Sequence, residues 1–232
     1  MGLLLEVRSL SYRYPDGTTA LDNISIQLND QENLAILGPN GSGKTTLLLH
    51  MNGTLSGEGE IRIAGMELNK QTLSEIRRRV GIVFQDADDQ LFMPTVLDDV
   101  MFGPLNLGWT PEQAAGRARQ ALARVGIADD LFRRPPFHLS AGEKRRVALA
   151  GVLVMEPDLL LLDEPTTSLD PPGQRALLDL LKALPQPKLF ATQDAHFAAA
   201  LSKRAIFLQN GRLIADGDVQ EITRQFAWNP YD

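Results

Sequence analysis

Apolar and polar residues alternate over residues 3–30 and 58–67, in the segments LLLEVRSL, LDNISIQL and GEIRIAG. A period of two turns one face of each segment inward, which predicts an antiparallel β layer around the N-terminal part. Between these stretches the pattern changes. Asn33-Leu34-Ala35-Ile36-Leu37 is a short buried strand, and TTLLLHM (Thr45–Met51) continues as a helix. From about residue 86 the chain becomes helical. Thr110, Pro111 and Gln113 supply an N-cap, a proline at N1 and a capping box, and Ala114, Ala118, Ala121, Leu122 and Val125 form one apolar face. After residue 158 strand and helix patterns alternate again, in LLLLD, QRALLDLLKAL, KLFAT, AHFAAALS and RAIFLQ. The whole predicts an α/β core interrupted by a helical insertion.

Composition narrows the class. The 232 residues suit one large domain or a core with an inserted subdomain. A net charge of −6 argues against nucleic acid as the main partner. Zero cysteines exclude disulfides and thiolate metal sites and fit a reducing compartment. The start, MGLLLEVRSL, has no basic leader, and the longest apolar candidate, VALAGVLVM (Val147–Met155), is too short to span a bilayer. Any link to a membrane is expected to run through a partner.

Two segments carry the chemistry. GPNGSGKTT, Gly38 to Thr46, lies between the strand at 33–37 and the helix at 45–51. That context matches the phosphate-binding pattern G-x-x-x-x-G-K-[ST], whose four fixed positions arise by chance in about one chain in a hundred of this length. Gly38, Gly41 and Gly43 let the backbone point N–H groups at phosphate oxygens, with Pro39, Asn40 and Ser42 completing the loop. Lys44 aims a charge at the β- and γ-phosphates, the Thr45 hydroxyl reaches Mg²⁺, and Thr46 closes the set. The second segment is LSAGEKRRVALAG (Leu139–Gly151) followed by LLLLDEP (Leu159–Pro165). Ser140 as N-cap and Glu143 as its partner start a helix whose free N–H groups suit a phosphate. The apolar strand after it ends in Asp163 and Glu164, suited to hold a metal and to activate water.

The order GPNGSGKTT, Gln85 in GIVFQDADDQLF, LSAGE, LLLLDEP and SLD (Ser168–Asp170) resembles the ATP-binding subunits of ABC transporters over nearly the whole chain. YRYPDGTTAL, FQDADDQLF and GEKRRVALAGVLVMEP are most similar to the energy-coupling-factor type, closest to CbiO-like cobalt/nickel importer ATPases. The resemblance implies a P-loop NTPase core with an N-terminal antiparallel β layer and an inserted α-helical subdomain. Residues 1–85 and 158–232 would form the core with its β subdomain, and about 86–157 the helical subdomain ending in the signature helix. It also implies ATP and Mg²⁺ as ligands. Tyr14, with Tyr12 as rival, would stack on adenine, and Asp163 would hold Mg²⁺ through water together with Thr45 and Gln85. Glu164 would be the general base, and Gln85 would also report nucleotide state to the membrane partner. Ser140 and Gly142 would act on another subunit's ATP in a head-to-tail dimer with a second copy or a paralogue. Asp170 would lie at that interface, or cap the helix after it.

Further partners implied are an integral membrane coupling subunit and a substrate-binding membrane subunit, on the cytoplasmic face of the membrane. The transported substrate, cobalt, nickel or a vitamin, stays open, and so does a soluble iron–sulfur assembly role. Asp86, Asp88 and Asp89 are expected to meet basic residues of the coupling subunit. Two positions depart from the family pattern. The signature has Ala141 where Gly is usual, and Thr192 is followed by Gln193 where a switch His is usual. Gln193 is expected to take the switch position with weakened hydrolysis. His196 is expected one turn into the next helix, packing or capping, and His50 and His138 are expected to be structural.

Overall fold

The computed structural model describes residues 2–228. The alternating segments form β1 (Leu3–Arg13), β2 (Thr19–Asn29), β4 (Glu58–Ile63) and the two-residue β5 (Met66–Glu67), an antiparallel sheet in the order β2-β1-β4-β5. A second sheet holds β3 (Leu34–Leu37), β6 (Val80–Val83), β7 (Leu159–Asp163), β8 (Lys188–Ala191), β9 (Arg204–Gln209) and β10 (Arg212–Asp218), in the order β10-β9-β3-β8-β7-β6. Its pairings are parallel except the edge hairpin β9–β10.

The central strands read as continuous apolar runs because both of their faces are covered. On β7, Leu159 and Leu161 join one core with Leu34, Ile36 and the N-terminal sheet, while Leu160 and Leu162 join another with Phe190 and the helices. Helix α1 (Lys44–Met51) contributes Leu47, Leu48 and Met51 to the first core. This packing fixes the phosphate loop between the two sheets.

The insertion consists of α3 (Val96–Asn106), α4 (Pro111–Arg124) and α5 (Ala141–Leu153), with short 3₁₀ turns at Ala87–Asp89, Asp129–Leu131 and Pro136–His138. The capping box at Thr110 and Gln113 forms, and Ala114, Ala118, Ala121 and Leu122 are buried as their spacing predicts. Helix α5 lies closely on β6, where Gly81 has no room for a side chain beneath Val152. Helices α6 (Pro171–Ala183) and α7 (Ala195–Leu201) complete the core.

Three elements have weak sequence signals. Helix α2 (Leu73–Arg79) and helix α8 (Val219–Gln225) have seven residues each, and α2 buries only Ile76. Strand β10 is an edge strand with no fully buried residue. The expectation for His196 is corrected: it is the second residue of α7 and exposed, and Asp194 caps the helix by accepting from the Phe197 amide at 2.9 Å. His138 is also exposed, its ring edge-on to Phe137 with ring centres 4.4 Å apart. His50 is fully buried, its Nδ1 2.7 Å from the Thr46 carbonyl.

Candidate nucleotide site

The parallel strands β3, β8 and β7 end at one edge of the sheet, the location where open α/β folds bind ligands. Backbone bonds from Thr192 N–H to Ile36 O (3.1 Å) and from Glu164 N–H to Ala191 O (3.0 Å) align those ends. The residues leaving them are therefore brought together: the loop from Gly38, the pair Asp163–Glu164, and Gln193.

In the phosphate loop, Gly38 has φ +143° and Gly43 has φ +105°. A Cβ on Gly43 would lie 2.5 Å from the Ala20 carbonyl oxygen, and one on Gly38 would collide with the Leu208 carbonyl. No other residue fits either position. Lys44 is buried, and its Nζ donates to the Gly38 carbonyl at 2.8 Å and the Pro39 carbonyl at 3.3 Å. It also sits 3.6 Å from Glu164 Oε1.

The Thr45 hydroxyl donates to Asp163 Oδ2 at 2.7 Å. Asp163 is buried, and burial raises its carboxyl above the usual range, partly opposed by that hydrogen bond. Its Oδ1 is buried without a hydrogen-bond partner. A hydroxyl and a carboxylate with an unused oxygen make a hard-oxygen donor set that fits Mg²⁺. Among the described residues no cluster of three His, Cys, Asp or Glu exists, so such an ion would be held largely by phosphate and water.

Glu164 has φ +41°, a strained value for a side-chain-bearing residue that turns the carboxylate toward the loop. Gln193 engages both of its oxygens, the backbone N–H donating to Oε2 at 3.2 Å and Nε2 to Oε1 at 3.3 Å. Nε2 also donates to Asn40 Oδ1 at 2.8 Å. The amide at position 193 thus bridges the phosphate loop and the acid.

Tyr14 is half-buried, its hydroxyl 2.9 Å from Thr46 Oγ1 and its ring edge-on to Tyr12 at 5.0 Å. Ser42 is buried, with Oγ lacking a partner. Asp170 is exposed and accepts from the Gly173 amide at 2.9 Å, so it caps α6. The Ser140 hydroxyl accepts from the Glu143 amide at 3.3 Å and donates to the Glu143 carboxylate at 2.8 Å, forming the capping box. Among the described residues no hydrogen bond or ion pair joins Ser140 or Gly142 to the phosphate loop.

The acids after Gln85 are exposed, and two of them have partners within the chain. Asp86 caps the turn at Ala87–Asp89 through its bond from the Asp88 amide, and Asp88 forms an ion pair with Lys144 at 2.6 Å. Both are therefore engaged within the chain, and Asp89 is exposed. Sequence reasoning missed Arg145, whose guanidinium donates to the carbonyls of Phe84 and Gln85. Its burial, unusual for arginine, could not be read from a string of basic residues.

A phosphate loop, a buried acid hydrogen-bonded to its threonine and a neighbouring acid aimed at the loop define a P-loop nucleoside triphosphatase. The family model for ABC transporters matches residues 21–167. The chain is 48% identical over 220 residues to the cobalt import ATP-binding protein CbiO of Rhodobacter capsulatus, covering 92% of this chain and 78% of that one. It superposes on cbiO1 of Clostridium perfringens, part of the ABC transporter complex cbiONQ, with a TM-score of 0.86 and 38% identity, covering 97% and 92% of the two chains. The dimeric cassette MJ0796 in a post-hydrolysis state with ADP and Pi gives a TM-score of 0.83 at 28% identity, covering 93% and 99%. The chain belongs to the ABC transporter family, as one of its ATP-binding, ATP-hydrolysing subunits.

Proposed function

We propose that the chain powers an energy-coupling-factor importer of cobalt or nickel ions by closing head-to-tail on a second ATPase subunit, with two ATP molecules at the interface. One observation carries this reading. Lys44, Asn40, Glu164 and Gln193 converge at one sheet edge, while the capped helix with Ser140 and Gly142 makes no hydrogen bond to that cluster. A second copy or a paralogue then supplies the missing N–H groups to the γ-phosphate.

In that state the loop amides and Lys44 hold the β- and γ-phosphates, and Tyr14 stacks on adenine. Thr45, Asp163 and Gln85 would hold Mg²⁺, which when bound offsets phosphate charge. Glu164 accepts a proton from the attacking water as general base. Gln193 holds that carboxylate by donating to both oxygens. An amide carries no charge at any pH, so this contact orients Glu164 without adding a positive charge to the phosphate.

Among the described residues no helix is long and apolar enough to cross a membrane. We assign the docking of a membrane coupling subunit, which acts with a substrate-binding membrane subunit at the cytoplasmic face, to the surface after Gln85. Phe92, Phe102 and Leu105 are exposed there, with the two aromatic rings edge-on at 4.9 Å. An apolar patch of this kind marks a partner surface. With Asp86 and Asp88 engaged internally, contact rests on these apolar groups more than on the acids. The assignment to cobalt or nickel draws on the similarity to CbiO.

The test is uptake of radioactive Co²⁺ by cells carrying the complete transporter. Uptake with the native chain and its loss with Glu164→Gln support the proposal. Absence of cobalt and nickel uptake alongside uptake of a vitamin would reassign the substrate.

A further inference from the structure

Helix α5 carries two groups of residues facing different tasks. Its first turn holds Ser140 and Gly142, and its next residues hold the segment that carries Gln85. Lys144 Nζ pairs with Asp88 Oδ1 at 2.6 Å. Arg145, only 4% exposed, donates from both terminal nitrogens to the carbonyls of Phe84 and Gln85, the two successive peptide links that flank the Gln85 α-carbon. Burial pulls the guanidinium below its usual range, and the opposing charges around it are Asp86 and Asp163. A fork of fixed N–H groups on two successive carbonyls sets backbone direction in a way a single ammonium cannot. The Gln85 side chain itself is exposed.

We infer that Arg145 is the positioning residue that ties the signature end of α5 to the Gln85 segment, so that engagement of Ser140 and Gly142 by another subunit's phosphate resets Gln85 and the Phe92 surface of the same chain. This inference rests on the head-to-tail reading above. The link is short: Ser140 and Arg145 share one helix, and Gln85 leads through Asp86 and the turn at Ala87–Asp89 directly to Phe92. Because Lys144 and Arg145, near the start of α5, bond directly to Asp88 and to the carbonyls of Phe84 and Gln85, a movement of the N-terminal end of the helix reaches residues 84–88 with little slack. Arg145 touches neither substrate nor the reacting atoms, so its role is to orient Gln85.

The experiment is hydrogen–deuterium exchange of residues 84–90 in the Glu164→Gln chain, with and without ATP and Mg²⁺, with and without Arg145→Lys. Lysine keeps the charge and removes the fork. In Glu164→Gln, ATP is expected to slow exchange of this segment about tenfold. With Arg145→Lys added, light scattering is expected to show the same ATP-dependent doubling of mass, while the slowing falls to about twofold or less. A parallel cycle measures ATP turnover. Arg145→Lys is expected to lower it about tenfold in the native chain, and less than about twofold once Gln85→Ala is present.

Full slowing in the Arg145→Lys chain, or additive losses in the cycle, would overturn the inference. Loss of dimerisation on Arg145→Lys alone would also overturn it, since the residue would then act on closure. Failure of Glu164→Gln itself to dimerise would defeat the head-to-tail reading instead. Should Arg145→Lys not fold, Lys144→Ala removes the neighbouring tie, and unchanged exchange in that chain counts against the inference.

Discussion

Lys188 opens β8, the strand that delivers Gln193 to the site, and it is buried at 2% exposure. Its Nζ donates to the carbonyls of Leu184 at 2.9 Å and Gln186 at 2.6 Å, near the C-terminal end of α6. Burial disfavours the ammonium and lowers its pKa to about 8, against 10.5 for the free side chain. In the unfolded chain the amine keeps its proton up to the higher value. Between pH 8 and 10.5 the unfolded state therefore binds one more proton than the folded state, and stability rises with pH across that window. The slope is at most about 1.4 kcal/mol per pH unit, and the full gain at most about 3.4 kcal/mol. Below pH 8 both states are protonated and the contribution is flat.

Substitution Lys188→Met keeps the stem and removes the titrating group. Urea unfolding of both chains at pH 7.5, 8.5, 9.5 and 10.5 isolates the effect, because every other group is shared. The stability of the native chain relative to Lys188→Met is expected to climb through the window and to be constant below it. A difference independent of pH, or one that falls as pH rises, would refute the reasoning.

Three further outcomes follow from the site. Gly43→Ala places a methyl group 2.5 Å from the Ala20 carbonyl at φ +105°, and is expected to cost about 3 kcal/mol and to abolish binding of a fluorescent ATP analogue. Gln193→Ala removes the donor side chain shared by Asn40 and Glu164, and is expected to lower turnover roughly tenfold or more with KM for ATP little changed, as read by phosphate release. Phe92→Asp puts a charge in the exposed aromatic pair and is expected to strip the chain from the detergent-purified complex while the fluorescent analogue still binds.

The layers of the fold were legible because their periods are strong: alternation in β1, β2 and β4, apolar runs in β3 and β7, and the capping boxes at Thr110 and Ser140. The phosphate loop was legible because its glycines answer to backbone geometry at fixed spacing. Less was visible where a residue's partner is distant in sequence. Asp88 read as an acid awaiting a partner subunit, yet it pairs with Lys144, fifty-six positions away. Nothing in the motif order marked the buried Arg145, whose partners, the carbonyls of Phe84 and Gln85, lie some sixty positions away. His196 read as one turn into its helix, yet Asp194 caps α7 so that the helix begins only at Ala195 and His196 is its second residue. Gln193 shows the converse: its position was readable from the motif order, but its grip on both oxygens of Glu164 depends on strands β7 and β8 ending side by side.

In the proposed head-to-tail pair one chain holds the phosphate loop and the acids while another supplies Ser140 and Gly142. This arrangement is tested most directly by light scattering of the Glu164→Gln chain with and without ATP and Mg²⁺. A monomer mass is expected without nucleotide and twice that mass with ATP, the doubling lost when Ser140→Arg is added. One mass in every nucleotide state, or a dimer indifferent to Ser140→Arg, would contradict it.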